Sequence, residues 1–421
     1  MKQNSKLTGL HWFTAIVMGM MYTSFGNMQY LVQYYYVMYQ EANGLTDVQM
    51  GAILSAVGIC AVIAYFYNGF LTDMVKPRVL LSATLTLAIA AGIVLLFNPG
   101  YIASMAIFCL FALLPLWGPM SKLIVGISEG NQVDKMFGWL DFFLAVTGLI
   151  GGFIAARIVA SSGSVAAIRG LVIYNTACNV IGLIAVQIIS KKADAAKMGA
   201  EEKGDDAFSF KKVLVLFRDP NQWLLWLGIA LGYTGYIALT YVGPMLSNVF
   251  GMSVAGVTVV NTVQNNVVGL VAPLLAGTLA SKLGAVRSYF VWLGLYVVGV
   301  VSMIVSPWTA GFMWVAILAI IVLAFSVKGR SAISNTVLTD AKTPMALFGT
   351  SVCIQSVFMS LPDTFCYTLA GNLLEQHGNN GYYYIFGMCL IFSLAGLACN
   401  IILDRRLKAG KTSEWFFSQK K

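Results

Sequence analysis

Among the charged residues that stand inside long apolar runs of this sequence are Lys122, Asp141, Arg330 and Asp363. An ionisable group within lipid costs about 2.5–3.5 kcal/mol on insertion scales, so each needs a partner, a cavity or a task. A buried base can hold an anion. A buried acid can take up and release a proton, because burial lifts its pKa toward the working range. These residue types therefore offer recognition of a small charged solute and handling of protons.

The elements that position them follow from composition. Of 421 residues, 58% are hydrophobic and 10% are charged, against about 25% charged in an ordinary soluble domain. A bilayer core about 30 Å thick takes roughly 20 apolar residues per helical crossing. The sequence predicts an all-α integral membrane protein with twelve spans: 11–38, 47–71, 79–98, 101–127, 136–160, 168–190, 221–247, 252–281, 286–306, 309–333, 346–371 and 381–403. A β-barrel is excluded because these runs are continuously apolar and far longer than the roughly 10-residue alternating strands of a barrel.

The net charge of +9 is explained by topology. Lys2, Lys6, Lys76, Arg78, Lys135, the 191–218 stretch, Lys282, Arg287, Lys342 and the tail from Arg405 all fall on one side of the twelve-span arrangement. The positive-inside rule makes that side cytoplasmic, together with both termini, and gives no reason to expect nucleic acid as a partner. The first apolar run continues too far for a cleavable signal peptide, so span one is expected to stay in the product. Seven cysteines scattered through the spans read as small packing residues rather than a disulfide framework.

Placed on these spans, Lys122 lies roughly 8 Å from the cytoplasmic end of span four, and Asp141 a similar distance into span five. The two helices form an antiparallel hairpin, so the pair can meet at equal depth, either as a structural ion pair or as one that opens to an anion or to protons. Lys328, two residues from Arg330, is expected to reach the headgroups. Asp363 lies near the middle of span eleven, after Pro362, which removes a backbone donor. It is a candidate for proton coupling or for pairing with Arg330. Span one carries Tyr22, Gln29, Gln33 and Tyr36 near one face, with Tyr30 beside them, and span eight carries Asn261, Gln264 and Asn265. Polar stripes of this kind line a cavity or join helices.

The chain repeats itself. Gly69, Leu71 and Asp73 in "NGFLTDMVKPR" match Gly277, Leu279 and Ser281 at an offset of 208 residues, and the same offset carries Lys122 onto Arg330. The segments "KMFG" and "ALFG" open spans five and eleven at an offset of 211. Two pseudo-symmetric six-helix bundles are expected, 1–190 and 221–404, with a 191–220 cytoplasmic linker and a basic 405–421 tail. The end of the linker, "FSFKKVLVLFR", suits either a helix lying on the membrane surface or a solvated lead into span seven.

"GFLTDMVKPR" resembles the cytoplasmic loop motif G-x-L-a-D-r-x-G-r-[KR] of the major facilitator superfamily, and the six-plus-six organisation covers the whole chain. Gly69, Leu71, Asp73 and a basic end match; Lys76 replaces the second glycine, and the second copy has Ser281 in place of the acid. The resemblance implies a gating latch made by Gly69, Asp73 and Gly277, with Arg78 and Lys135 as partners of the acid. It also implies that spans one, four, seven and ten line the pore, which places Gln29, Tyr30, Gln33, Lys122, Tyr233, Tyr236 and Arg330 there, with Asn261 and Asn265 of span eight as further substrate contacts. Asp141 and Asp363 become the coupling acids. "LWGPMSKLIVGISEG" is similar to the organophosphate:phosphate antiporter branch and to permeases found beside sulfosugar-degradation genes. The antiporters hold phosphate with arginines in spans one and seven, which this sequence lacks, so the resemblance points to a carboxylate or sulfonate.

The expectation is a monomeric secondary active transporter of a small organic anion, coupled to protons or sodium, in a bacterial inner membrane and without a cofactor. A drug or metabolite exporter of the same fold is the nearest alternative, although "VTGLIGGF" keeps Gly148, Gly151 and Gly152 without the proline and spacing of the exporter motif G-x-x-x-G-P-x-x-G-G. A membrane receptor is the alternative from another class. An enzyme is not expected, since His11 and His377 fall at opposite membrane faces and form no metal site or triad. No G-x-x-x-x-G-K-[ST] supplies a nucleotide site.

Overall fold

The computed structural model describes residues 7–128, 132–195 and 210–418, which are helical with no strand among them. Helices prevail because a backbone in lipid must satisfy its own polar groups. Nine stretches among the described residues are long and apolar enough to cross a membrane, and two of them, Lys135–Lys191 and Leu347–Lys408, have 57 and 62 residues, enough for two crossings each. Span one completes the twelve, its hydropathy diluted by glutamine, asparagine and tyrosine. Large apolar side chains such as Ile102, Leu318 and Trp314 stand exposed, as expected of lipid-facing surfaces rather than of a water-soluble fold.

Local chemistry sets the helix ends. Thr46 and Gln49 exchange hydrogen bonds of 3.2 and 3.0 Å at the start of Asp47–Met74, a capping box that satisfies two orphan N–H groups. Pro77 opens Pro77–Leu95, where its missing donor costs nothing. Spans five and six run as one element, Gln132–Ala195, whose reversal is made at Gly163 with φ +81°, a backbone region closed to most side chains.

The chain divides into two compact units, residues 1–201 with 253–270 and residues 202–252 with 271–421. The sequence-based boundary assigned all of span eight to the second bundle; the structure places its first part with the first unit. The physical reason is the glycine pair of span five. A Cβ at Gly152 would lie 2.2 Å from Thr262 Oγ1, and one at Gly148 would lie 1.8 Å from Asn266 Oδ1. Only glycine permits so close an approach.

Several spans are interrupted. Span one runs as Gly9–Gln29, Leu31–Tyr34 and Tyr36–Asn43, with non-helical backbone at Tyr30 and Tyr35. Consecutive aromatics are poor helix formers because they lose side-chain freedom against the preceding turn. Span four breaks between Gly100–Leu113 and Trp117–Gly126, and the carbonyl of Pro115 in the gap accepts from Thr84 Oγ1 at 2.9 Å. Span eight contains a π-helical turn at Val263–Val267, a form frequent at functional sites. In the second unit, span seven breaks at Thr234 and span eleven at Leu361 and Pro362.

The 405–421 tail is more than a solvated extension. Span twelve continues as Gly381–Lys408, and a short helix Ser413–Ser418 follows. Asn221 at the start of span seven donates to the Lys411 carbonyl at 2.9 Å and accepts from Arg406 Nε at 2.7 Å. Gln222 donates to Thr343 and Ser413 hydroxyls at 2.8 and 3.2 Å and accepts from Ser351 at 2.6 Å. Asn221, Gln222, Ser351 and Ser413 are all fully buried, so this network holds the tail against the second unit. Of the linker, 196–209 lies outside the described residues, and its end forms the helix Phe210–Leu216.

Candidate functional sites

The three interruptions of the first unit converge on one cavity of about 270 Å³. Tyr30 and Tyr34 reach it from span one, Leu114 and Leu116 from span four, and Asn265 and Asn266 from the π turn. Irregular backbone at membrane depth is tolerated where it lines a cavity or is satisfied by other parts of the protein. Both conditions hold here, since the Tyr34 carbonyl released by the break accepts from Asn261 Nδ2 at 2.9 Å. Asn27, Gln29 and Asn68 add further carboxamides to the wall, and no lining residue carries a charge.

Of the residues expected at a site in this half, Gln29, Tyr30 and Asn265 meet at the cavity, while Gln33, Asn261 and Lys122 are not among its lining residues. Asn261 ties span eight to span one, as described. Lys122 is half-buried and donates to the Thr72 carbonyl at 3.1 Å. The expected ion pair of Lys122 with Asp141 is not formed; the ion pairs among the described residues join Arg287 and Lys408 to Asp404. Equal depth on two antiparallel helices does not fix rotation about their axes. Lys122 turns toward span two, and Asp141 lies on an exposed face of span five. Sequence reasoning missed Asn27, Asn68, Tyr65 and Trp117 as cavity residues, since single polar or aromatic residues in an apolar run carry little signal.

In the second unit, Arg330 lies in the last turn of Met313–Ile333 and is 2% exposed. Its guanidinium carbon lies 5.5 and 5.8 Å from the ring centroids of Tyr296 and Tyr289, within cation–π range. Its two Nη atoms have no hydrogen-bond partner. Room for the group comes from span seven, where a Cβ at Gly235 would lie 2.9 Å from Nη2 and one at Gly232 would lie 3.2 Å from Nη1. The Tyr233 and Tyr236 rings pack with centroids 4.7 Å apart and planes tilted by 40°, and Lys328 Nζ lies 5.2 Å from the Tyr236 ring, so the half-buried Lys328 engages an aromatic. Asp363 opens the half-helix Asp363–His377 after the break at Pro362, and its Oδ1 has no partner. It makes no ion pair with Arg330. Tyr289 and Tyr296 went unnoticed in the sequence because tyrosines are ordinary within an apolar helix.

The cytoplasmic loops differ between the halves. The side chains at Gly69 and Asp73 lie outside the described residues. Arg78, expected to partner Asp73, donates from Nε to Gln187 Oε1 at 2.7 Å; Lys135 is half-buried. Gly277 is exposed, and a Cβ there would meet nothing within 4 Å. Close helix approach therefore does not explain this second glycine. The acid missing at Ser281 has a substitute in Asp340, whose Oδ2 accepts from the Val286 N–H at 3.1 Å. That carboxylate caps the start of Ala285–Val305, where the helix dipole favours negative charge.

Among the described residues, no three His, Cys, Asp or Glu side chains are grouped to hold a metal ion. Comparison with known proteins gives relatives of the same extent. The chain is 20% identical over 385 residues to the inner membrane protein YihN of Escherichia coli K12, covering 90% of this chain and 91% of that protein. It is 22% identical over 356 residues to the inner membrane protein YqcE of the same organism, covering 82% and 83%. Among solved structures, the nucleoside transporter NupG matches with a TM-score of 0.69 at 13% identity, over 95% of this chain and all of that one. A bacterial homologue of the human lysosomal transporter Spinster, inward-facing and unoccupied, matches with a TM-score of 0.72 at 13% identity, over 95% and 98%. Likeness at this identity speaks for the fold alone. The model of the Major Facilitator Superfamily matches residues 12–362, and with the helical spans and interrupted helices described above this chain belongs to that superfamily of membrane transporters.

Proposed function

We propose that this protein is a secondary active transporter that moves a small organic anion, a carboxylate or sulfonate, by alternating access in symport with protons. The observation that carries the reading is Arg330. A guanidinium stays charged at any physiological pH, and leaving such a group buried without an acceptor is costly. Two free Nη donors beside two tyrosine rings match the forked geometry of a carboxylate or sulfonate. Gly232 and Gly235 keep that position open to the fork. Tyr233 and Tyr236 of the same unit are assigned to this anion site, and Lys122 to anion binding in the first unit. The relatives YihN and YqcE are named inner membrane proteins, which supports a bacterial inner-membrane location, with both termini cytoplasmic by the distribution of basic residues.

Proton coupling is assigned to Asp363, whose carboxylate begins a half-helix and has an unpartnered oxygen, with Asp141 as the second acid. Asp73, with Arg78 and Lys135, is assigned to gating.

The test is uptake by proteoliposomes of the purified protein, offered small carboxylates and sulfonates under an imposed proton gradient. Arg330→Gln is expected to abolish uptake while the protein still folds and inserts; a variant that binds and transports like the parent refutes the anion reading. Asp363→Asn is expected to lose gradient-driven accumulation and to keep exchange of labelled for unlabelled substrate. Loss of both activities would make Asp363 a structural group instead.

A further inference from the structure

The cavity of the first unit has a chemistry that a small anion does not use. Its wall is built from carboxamides and aromatic rings, with no charge. Asn27, Gln29, Asn68 and Asn265 line it, and each carboxamide offers both a donor and an acceptor. A carboxylate or sulfonate only accepts, and an ammonium only donates. A hydroxyl group does both, and so matches a wall of carboxamides better than either ion.

The rings complete the match. Tyr22 and Trp117 pack with centroids 5.3 Å apart, and Tyr30 and Tyr34 pack 5.5 Å apart, so two pairs of aromatic side chains border the cavity. Aromatic faces present apolar area with fixed geometry, which suits the C–H faces of a saturated ring. A volume of about 270 Å³ stands just under the roughly 300 Å³ at which pockets for small organic ligands begin, enough for one ring and its substituents. Asn265, placed by the π turn, and Gln29 bring further donor and acceptor pairs to the rim.

We infer that this cavity binds an uncharged, hydroxyl-bearing ring of sugar size, as a free neutral compound or as the neutral part of an anionic substrate. The inference stands on the first unit alone and does not depend on Arg330.

Three probes separate it from the anion reading: D-glucose, D-glucuronate and hexanoate, each titrated against the melting temperature of the purified protein, since a ligand of the folded state raises it. Glucose, glucuronate or both are expected to stabilise the parent, and glucuronate to act at lower concentration than hexanoate. Asn265→Leu and Tyr30→Leu, at positions that are not fully buried, are expected to raise the half-effect concentration of the hydroxylated probe about tenfold or more, with the hexanoate response kept. Arg330→Gln is expected to lose the hexanoate response and keep that of glucose. Stabilisation by glucose identifies a neutral ligand, and stabilisation by glucuronate alone identifies a hydroxylated anion. If glucose is silent and glucuronate matches hexanoate, the inference is overturned while the anion reading stands. If the hydroxylated probes act unchanged on both cavity variants, or no probe acts at all, it is likewise overturned.

Discussion

The two units differ in what they hold where their helices are interrupted. The first has a neutral cavity of carboxamides and rings, reached by Tyr30, Asn27 and Asn265. The second has a buried, unpaired guanidinium between Tyr289 and Tyr296. Both are made where helices break, and both depend on glycines that admit a neighbouring side chain. The device is the same in both, an interrupted helix with small residues beside it, and the side chains gathered there differ. A base stands at both positions related by the sequence offset, Lys122 and Arg330. Only Arg330 keeps both terminal nitrogens without a partner, whereas Lys122 donates to a backbone carbonyl.

Substitutions can break this contrast or sharpen it. The largest effect is expected from Arg330→Gln, with anion affinity falling at least about 100-fold, the scale of a lost charge-assisted hydrogen bond pair. Isothermal titration in detergent measures it, and Arg330→Lys should recover part of the loss. Next comes Gly152→Val in the first unit. Its side chain would overlap Thr262, including the Cβ at 2.8 Å, and overpacking of this kind costs about 1–3 kcal/mol. The melting temperature should fall with or without ligand.

A smaller effect belongs to Asp219, which caps span seven and accepts from the Asn221 N–H at 2.9 Å. Burial raises its carboxyl above the usual aspartate range, against the opposing pull of Ser413, the Asn221 N–H and Arg406. The folded protein then holds this proton more tightly than the unfolded chain does. Stability should therefore decline as pH rises from about 4, the ordinary aspartate value, through the raised one, and level off above it. Thermal melts of Asp219→Asn should lack this component and gain on the parent as pH is raised; identical pH profiles would sink the assignment. The smallest change is expected from Arg287→Ala. Its ion pair with Asp404 leaves the arginine side chain 56% exposed, and such pairs contribute below about 1 kcal/mol.

The crossings were legible because twenty apolar residues in lipid have few structural options. Arg330 was legible for a related reason, a charge standing out against its surroundings. Gln29, Tyr30 and Asn265 were found as polar residues in apolar spans, but Asn27 and Asn68, which share their cavity, were not. What the sequence could not express was rotation about the helix axis, and with it the separation of Lys122 from Asp141. Nor does 3.6-residue periodicity announce a break, so the interruptions at Tyr30 and Val263–Val267 are not legible from it. Pro115, which removes a backbone donor inside span four, and the run "YLVQYYY" are the local hints. Span eight's partition between units depended on Gly148 and Gly152, which sequence reasoning had weighed only as an incomplete exporter motif.

The tail network carries a consequence for how the molecule is made. Asn221 and Gln222 sit at the beginning of span seven, yet their partners include the Lys411 carbonyl and Ser413, nearly two hundred residues later in translation. Span seven must therefore enter the membrane with two carboxamides still awaiting partners at residues 411 and 413. Chains cut short before residue 411 would be complete in every crossing and still present an open polar seam to the quality-control proteases of the membrane.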